Sequence, residues 1–317
     1  MIALLLILEE FLFRLLNCVR TLAKRRNIMK YIFIVNAFAG RGKSLRVAQN
    51  IKKVCLENKI DYEIIYTNKP GEATTITKKY KDSKCVIFSV GGDGTLNEVL
   101  NGIVGSDNLL GVIPTGSGND FYKTLEKIYD LKPCIDIGKI NDRYFINLAC
   151  FGVDAEVAKN TEIMKRKNVP ASQIYNASII YTFFAYKFKE VELIINDIIR
   201  KDKFTVVAVC NGQYYGGGYQ MAPDASLTDN NFDIYYIDKI KKLEMPNLLM
   251  KVKNGVHEQL KIVHKVLSDR IIIQSANDII CNIDGETLIN KKFEIQLIKE
   301  GVTLFNDKNL VDRILQK

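Results

Sequence analysis

Short apolar runs alternate with amphipathic segments over the first half of the chain. Four runs rich in β-branched and aromatic residues read as strands, at 31–36, 62–67, 85–90 and 109–114. A helix after the first run is predicted by apolar positions at helical spacing, Val47, Ala48, Ile51, Val54 and Cys55. Residues 71–81 and a segment from about Thr95 predict two more helices. This βαβαβαβ order predicts an α/β domain with a mainly parallel sheet.

After about residue 140 the pattern changes to strand-like runs. They lie at 143–152, 191–196, 203–212, 232–240, 270–276, 279–285 and 292–300. In the last run Phe293, Ile295 and Leu297 alternate with polar residues, which indicates one buried face and one wetter face. Helical patterns interrupt the series near 172–188 and 243–264. The second half therefore predicts a largely antiparallel β-domain, a sandwich or a close variant of one.

The first 28 residues are apolar but interrupted by charge. Glu9, Glu10 and Arg14 leave no uninterrupted run of the roughly 20 residues that cross a bilayer. Five basic residues and no A-x-A-like site argue against a secretory signal. Two interpretations stay open: an amphipathic helix lying on a membrane, or an upstream extension with the functional start at Met29. The strand predicted directly after Met29 slightly favours the second.

Composition and charge favour an anionic partner. The chain has 317 residues, 47% of them hydrophobic, and a net charge of +9. Its basic residues form short clusters, at 165–167, 239–242 and 291–292, without the aromatic pattern of RNA-binding proteins. We therefore expect a nucleotide or an acidic lipid surface as partner, and no nucleic acid.

Cysteine and histidine offer little chemistry in this sequence. The seven cysteines include no C-x-x-C pair, which argues against disulfides and zinc knuckles and favours a reducing cytosol. The two histidines, His257 and His264, could share one face of the predicted helix at 243–264, but a two-histidine metal site is a poor prospect. The chemistry must therefore rest on carboxylates, lysines and backbone groups.

Loops rich in glycine and small polar residues follow three of the predicted strands. They are 36–44 (NAFAGRGKS), 91–95 (GGDGT) and 114–120 (PTGSGND), while the second strand leads to TNKPGEA. Ligands bind at the carboxyl ends of parallel strands, so we expect these loops to open on one crevice. Three such loops at one sheet edge indicate a nucleotide site.

The loop at 91–95 has the features of a phosphate cradle. Gly91, Gly92 and Gly94 would let the backbone approach a ligand closely. Thr95 and Glu98 fit a capping box, which predicts a helix start whose free N–H groups favour a phosphate. The first loop nearly spells a P-loop, but Ala37 stands at its first glycine position and no Walker-type acidic strand follows. A P-loop ATPase is therefore not expected.

Asp93 lies within this cradle, where its charge should repel a phosphate. A divalent cation resolves the conflict, because Mg²⁺ binds one or two carboxylates together with phosphate oxygens. Asp120 in the neighbouring loop offers a second carboxylate. The pattern indicates a magnesium nucleotide and phosphoryl transfer, in which the protein mainly positions groups and neutralises charge.

Three motifs resemble the diacylglycerol kinase catalytic family, specifically the bacterial soluble lipid kinases related to sphingosine kinases. They are GGDGTLNEVLNG (91–102), PTGSGNDF (114–121) and NIDGE (282–286), and the likeness covers about residues 29–317. The first motif alone is shared with NAD kinases and phosphofructokinases. Its combination with G-N-D-F and the late D-G-E is more specific for the lipid kinases. The resemblance implies a phosphofructokinase- or NAD kinase-like α/β domain followed by a β-sandwich that receives the lipid.

The resemblance also implies a set of ATP-contacting residues. It assigns to the nucleotide Asn36, Ala37, Phe38, Ala39, Gly40, Thr67, Gly91, Gly92, Asp93, Gly94, Thr95, Leu96, Asn97, Glu98, Ser117, Asn119 and Asp120. Ala37 replaces the family's usual proline. A structural Mg²⁺ site is implied at Asp229, with backbone oxygens of Ser226 and Asn231. The family normally has glycine at Asn230, and asparagine is among the residues that best adopt glycine's left-handed geometry.

Catalysis and domain limits follow from the same resemblance. Glu286 is implied as the general base that deprotonates the lipid hydroxyl, with Asp284 supporting it. The α/β domain would cover 29–140 and recruit about 300–317, leaving 141–299 as the lipid-acceptor domain. The aromatic-rich segments 179–188, 186–195 and 212–223 could line a lipid groove, although core packing commonly explains such residues.

Three hypotheses remain from the sequence. The first is an ATP- and Mg²⁺-dependent kinase of a lipid alcohol, with diacylglycerol giving phosphatidic acid, in the cytoplasm and peripheral to an anionic membrane. The second is a soluble-substrate kinase of the NAD kinase type, and the third a non-catalytic nucleotide- or lipid-binding module. The retained Asp93, Asp120 and Glu286 count against the third. The lipid itself and the oligomeric state, a homodimer included, stay open.

Overall fold

The first half of the chain folds around a parallel sheet. The computed structural model describes residues 29–128, 133–153, 155–157, 160, 178, 182, 186–305 and 307–316. The predictions for residues 1–28, and most of the helix predicted near 172–188, lie outside these ranges. The strands are β1 (Tyr31–Asn36), β2 (Tyr62–Thr67), β3 (Val86–Gly91) and β4 (Leu109–Pro114). They pair in parallel in the order β2-β1-β3-β4, which confirms the predicted sheet.

Four helices connect or follow these strands. They are α1 (Lys43–Glu57), α2 (Glu72–Lys78), α3 (Asp93–Ile103) and α4 (Asp120–Lys127). The apolar face predicted for α1 is buried, from Val47 to Cys55. One layer of the core packs α1 against the sheet, where the Phe33 and Phe88 rings stack with centroids 4.5 Å apart. The helices thus cover a sheet whose carboxyl edge remains open for a ligand.

The second half is an antiparallel β-sandwich. Its strands are β5 (Cys134–Ile140), β6 (Arg143–Phe145), β7 (Leu148–Gly152), β8 (Val191–Ile195), β9 (Ile198–Asp202), β10 (Phe204–Cys210), β11 (Tyr214–Tyr215), β12 (Tyr219–Gln220), β13 (Phe232–Asp238), β14 (Val263–Ser268), β15 (Arg270–Ile283) and β16 (Glu286–Leu304). Two helices, α5 (Met245–Lys253) and α6 (Lys308–Leu315), and 3₁₀ turns at Ala39–Gly42, Lys242–Glu244 and His257–Gln259 complete the described elements. Phe293 and Ile295, predicted to face inward, lie in the sandwich core.

Strand β16 joins the two halves into one hydrogen-bonded sheet. Along most of its length it pairs antiparallel with β15 and β5, and at its end Thr303 and Leu304 lie parallel to β4. Helix α6 then packs on α1, where Asn50 Nδ2 donates to the Ile314 carbonyl at 3.1 Å. These contacts support the division that we propose, with residues from about 300 returning to the first unit.

The structure corrects two predictions about the second half. The helix predicted over 243–264 ends at Lys253, because Gly255 takes a left-handed conformation with φ of 68°, and β14 follows. His257 therefore lies in a 3₁₀ turn and His264 in a strand, so they share no helix face. The runs at 270–276 and 279–285 form one long strand, β15, with an irregular register in between.

Candidate active site

Loops from both halves enclose a polar crevice at the carboxyl edge of the parallel sheet. The crevice has a volume of about 580 Å³. Its first wall contains Asn36, Ala39, Gly40, Gly92, Asp93, Gly94, Thr95, Gly116, Ser117, Gly118 and Asp120. Its second wall contains Asn147, Val157, Tyr215, Gly216, Gly217, Asn282, Asp284 and Gly285. The loops after β1, β3 and β4 thus open on one site. Thr67 is instead buried beside the first loop, and its carbonyl accepts the Ala37 N–H at 3.4 Å.

Close backbone contact between two loops gives the crevice its floor. A Cβ built on Gly116 would lie 2.4 Å from Gly92 Cα, so only glycine fits there. Gly40 adopts a φ of +60°, and its Cβ position would lie 2.0 Å from the Thr115 carbonyl oxygen. The loops after β1, β3 and β4 are therefore held together by glycines that leave no room for side chains.

The near-P-loop residues bind the neighbouring loop. Lys43 Nζ donates to the Pro114 carbonyl at 3.4 Å, and the buried Ser44 Oγ lies 2.8 Å from Thr115 Oγ1. Asn36 continues this network, because its Nδ2 donates to Thr95 Oγ1 at 3.1 Å and its Oδ1 accepts the Phe38 N–H. Lys43 and Ser44 thus have structural partners, and the Phe38 side chain is exposed.

The capping box predicted at Thr95 and Glu98 is wrong. Helix α3 begins two residues earlier, at Asp93, after Gly92 as N-cap, and no side chain caps it. Glu98 instead accepts the N–H groups of Gly71 and Ala73 at 2.8 and 3.0 Å, so it caps the neighbouring helix α2. The sequence motif fits a cap for α3, but tertiary contact directs the carboxylate elsewhere.

Part of the predicted nucleotide segment faces away from the crevice. Leu96 lies in the hydrophobic core, and Asn97 Nδ2 donates to Asp284 Oδ2 at 3.0 Å and to the Tyr144 carbonyl. Gly91 packs against the Thr95 side chain beneath the loop. Asn119 is the left-handed N-cap of α4, with φ of 52°, and its Nδ2 donates to the Gly116 carbonyl. These residues shape the loops around the crevice.

Two carboxylates, Asp93 and Asp120, meet at Gly118. An Oδ2 atom of each lies within 3.6 Å of a Cβ built on that glycine. Asp93 Oδ1 accepts the Phe121 N–H at 3.2 Å, while Asp120 accepts from Lys123 Nζ at 2.9 Å and from the Gly217 N–H at 2.8 Å. Burial, with the Asp120 charge as the next cause, raises the pKa of Asp93 to about 6. Ionising both carboxylates in this site therefore costs free energy, and a bound cation would offset that cost.

Replacing Asp93 with asparagine is expected to remove a pH dependence of stability. The folded pKa of about 6 exceeds the ordinary value of about 4, so the folded protein holds a proton that the unfolded chain releases between these values. Stability present below pH 4 is therefore lost as the pH rises through 6, by about 3 kcal/mol. Urea unfolding of wild type and Asp93→Asn from pH 4 to 8, without nucleotide or divalent cations, measures the difference.

The control for this comparison is Asp107→Asn. Asp107 is exposed and pairs only loosely with Lys84, at 3.6 Å, so its replacement should leave the pH profile of wild type unchanged. Parallel profiles for wild type and Asp93→Asn would show that the Asp93 carboxyl does not hold a proton in the folded state.

The D-G-E turn places its two acidic residues in different environments. Asp284 is buried, and its carboxylate accepts the N–H groups of Ile146, Asn147 and Leu148 at 2.8 to 3.1 Å, besides Asn97 Nδ2. Burial raises the pKa of Asp284 although these hydrogen bonds act in the opposite direction. Glu286, after the crevice-lining Gly285, is partly exposed and forms an ion pair with Arg143.

Sequence reasoning missed two asparagines of the second wall. Asn147 and Asn282 are buried and line the crevice. Asn147 Oδ1 and Asn282 Nδ2 have no hydrogen-bond partner among the described residues, which is costly unless a ligand or water satisfies them. Each asparagine interrupts an apolar strand-like run, FINLACF and IICNID, and that signal could have drawn attention to them.

The loop predicted to hold a structural metal is compact and acidic. Asp229 Oδ1 accepts the Asn231 N–H at 3.1 Å, Ser226 Oγ accepts the Thr228 N–H, and Asn230 takes a left-handed φ of 63° in place of glycine. Burial raises the pKa of Asp229, with Asp233 and Asp136 contributing. A cation at Asp229 would offset this negative charge, part of which Lys265 already neutralises through its ion pair with Asp233 at 2.8 Å. Among the described residues, no three His, Cys, Asp or Glu side chains form a metal cluster.

An apolar cavity of about 140 Å³ adjoins the crevice. The two spaces share Val157, Tyr215 and Gly216. The cavity wall also contains Val153, Thr205, Val206, Tyr219, Met221, Ile237, Met245, Pro246, Leu248, Leu249 and Val252. Nearly all of this lining is hydrocarbon or aromatic, as expected for a site that receives an apolar group. A polar and an apolar compartment therefore meet at Tyr215 and Gly216.

Comparison with known proteins identifies the family. The diacylglycerol kinase catalytic domain model matches residues 30–142, and the YegS C-terminal NAD kinase beta sandwich-like domain model matches 147–305. Diacylglycerol kinase of Staphylococcus epidermidis is 31% identical over 263 residues, covering 78% of this chain and 83% of that protein. The chain belongs to the diacylglycerol kinase family. Its membership identifies the protein as a lipid kinase.

Other relatives agree with this assignment. Diacylglycerol kinase of Staphylococcus saprophyticus is 30% identical over 234 residues, covering 69% of this chain and 76% of that protein. A crystal structure from Bacillus anthracis Sterne matches with a TM-score of 0.70 at 23% identity, covering 89% and 96% of the two chains. At that identity the structural match shows the fold of the family, an α/β domain followed by an antiparallel sandwich. No helix in the described ranges has the length and apolar character needed to span a bilayer.

Proposed function

We propose that the protein transfers the γ-phosphate of ATP to the hydroxyl of diacylglycerol, giving phosphatidic acid. The junction of the polar crevice and the apolar cavity at Tyr215 and Gly216 carries this proposal. A substrate with a hydroxyl headgroup and hydrocarbon chains needs both compartments, whereas a fully polar acceptor such as NAD needs only the first. The junction of the two compartments therefore favours a lipid acceptor over a soluble acceptor such as NAD.

We place the triphosphate on the first wall of the crevice. Helix α3 begins at Asp93, so the first N–H groups of that helix have no intrahelical acceptor and suit phosphate oxygens. Gly94 supports this position, because a Cβ there would meet no protein atom within 4 Å. Asp93 and Asp120 would hold Mg²⁺ with the nucleotide, and the ion would neutralise charge on the phosphates.

We place the acceptor on the second wall. The unpartnered Asn147 Oδ1 and Asn282 Nδ2 can orient polar groups of the lipid, and the chains can enter the apolar cavity. Glu286 follows the turn at the crevice edge and is the base that removes the hydroxyl proton. Asp284 supports the base indirectly by fixing the turn through four hydrogen bonds. The loop of Ser226, Asp229 and Asn231 would hold a structural Mg²⁺.

The direct test is transfer from γ-labelled ATP with Mg²⁺ to a panel of lipid alcohols and to NAD. We expect the label in the chloroform phase with diacylglycerol, the acceptor in the names of the curated relatives, and no label in NADP. Label found only in NADP would establish the soluble-substrate alternative, and no transfer to any acceptor would support a binding module.

A crevice variant links the transfer to this protein rather than to a contaminating kinase. Gly94→Ala should fold as wild type, because its Cβ meets no protein atom, and should raise KM for ATP if phosphates approach the backbone there. An unchanged KM with an unchanged melting temperature would place the nucleotide elsewhere.

A further inference from the structure

An exposed apolar stripe runs along the outer face of helix α5 and the turn before it. Leu243 and Met250 are 86% and 58% exposed, which is unusual for large apolar side chains. Pro246 is also exposed, so that positions 243, 246 and 250 follow the i, i+3, i+7 spacing of one helical face, which the polar Asn247 shares. The opposite face, with Met245, Leu248 and Val252, is buried. We call the outer face of residues 241–253, without the buried Met245, Leu248 and Val252, the α5 surface.

Positive charge surrounds this stripe. Lys241, Lys242, Lys251 and Lys253 belong to the α5 surface, and Glu244 is its only acidic residue. The Glu244 carboxylate accepts the Lys241 backbone N–H at 2.9 Å, so it caps the turn. Exposed apolar side chains with flanking lysines match an anionic bilayer, in which headgroups meet the lysines and acyl chains meet the stripe.

The α5 surface and the apolar cavity lie on opposite faces of the same short helix. Met245, Leu248 and Val252 line the cavity from within, and Pro246 both lines the cavity and is exposed. An amphipathic helix that rests on a bilayer would therefore hold the cavity next to the membrane that contains the substrate. Only the width of helix α5 would separate the acyl chains of the bilayer from the cavity that receives the substrate chains.

We propose that the α5 surface docks the protein on an anionic membrane and delivers the lipid substrate to the apolar cavity behind it. The delivery step rests on the proposed function, whereas the docking step does not, because it needs neither ATP nor turnover. The occupant is a bilayer with acidic headgroups.

Vesicle binding tests the docking step directly. Wild type and Leu243→Ser/Met250→Ser are sedimented with vesicles of phosphatidylglycerol and phosphatidylcholine, without ATP. We expect the partition coefficient of the double variant to fall about tenfold or more, because two large apolar groups no longer enter the bilayer. The partition coefficient of Lys241→Gln/Lys253→Gln should fall about fivefold per lysine, and only on anionic vesicles.

The matched control for the apolar stripe is Leu56→Ser/Ile199→Ser. The side chains of Leu56 and Ile199 are 62% and 63% exposed, on α1 and β9.

The outcomes separate docking from catalysis. Unchanged binding of Leu243→Ser/Met250→Ser, or a loss confined to the Leu56→Ser/Ile199→Ser control, would overturn the proposal. Phosphorylation of a short-chain diacylglycerol below its critical micelle concentration should be the same in wild type and Leu243→Ser/Met250→Ser, while phosphorylation of diacylglycerol in vesicles should fall with binding. A wild type that binds vesicles but phosphorylates no lipid would refute the proposed function and leave docking supported.

Discussion

Replacing Asp284 with alanine is expected to destabilise the protein by about 3–5 kcal/mol, the largest stability loss that we predict. The Asp284 carboxylate is buried and accepts four hydrogen bonds, three of them from consecutive backbone N–H groups at 146–148. Alanine removes the acceptor of the three backbone N–H groups, while Asn97 Nδ2 keeps the Tyr144 carbonyl. Asp284 also adopts a left-handed φ of 46°, which alanine tolerates poorly. Urea unfolding at pH 7 measures the free energy of unfolding.

Two further variants make this prediction specific. Asp278→Ala removes an exposed carboxylate from β15, the strand that leads into the turn, and should change the free energy of unfolding by less than about 0.5 kcal/mol. Asp284→Asn keeps an acceptor and tolerates the left-handed backbone, so it should lie between Asp284→Ala and wild type. A cost for Asp284→Ala as small as that for Asp278→Ala would show that the four hydrogen bonds do not stabilise the turn.

The parallel sheet was predictable from sequence because local pattern and long-range pairing agree there. The strands β1, β3 and β4 are mostly apolar, as strands buried on both faces require, whereas the edge strand β2 contains Glu63 and is only partly buried. The loops after β1, β3 and β4 then share the crevice because parallel strands point their carboxyl ends to one edge.

The missed features depend on contacts that sequence spacing does not encode. Glu98 has the spacing of a capping box with Thr95, yet it caps α2 because that helix packs beside α3. Asp284 reads as a turn residue, and its burial arises only when 146–148 and Asn97 pack around it. Asn147 and Asn282 become site residues because β7 and β15 are paired, which brings two distant apolar runs together. The single helix predicted over 243–264 also treats the left-handed turn at Gly255 as helix.

The separate environments of Asp284 and Glu286 divide the work of the D-G-E turn. The Asp284 carboxylate accepts hydrogen bonds from four protein donors, and these hold the turn in place. Because both of its oxygens are already engaged, it is poorly placed to accept a proton from a substrate. Glu286 keeps contact with solvent and pairs with Arg143, next to Gly285, which lines the crevice. Arg143 Nη2 also lies 3.4 Å from Asn97 Oδ1, which links the proposed base to the residue that binds Asp284. Of the two carboxylates, Glu286 is therefore the one suited to accept a proton.

Replacing Glu286 with glutamine is expected to lower kcat for lipid phosphorylation by about 10²–10⁴-fold, the largest effect on activity that we predict. Glutamine keeps the size and the hydrogen bond to Arg143 but cannot take the hydroxyl proton. KM for ATP should stay unchanged, and the melting temperature should change little because the ion pair is partly exposed. Glu294→Gln is the matched control: Glu294 lies on the same strand, pairs with Lys292 at 2.6 Å, and should retain wild-type kcat. If Glu286→Gln kept kcat within about threefold of wild type while folded, a different group would have to accept the proton, and the retained ion pair with Arg143 would then be structural.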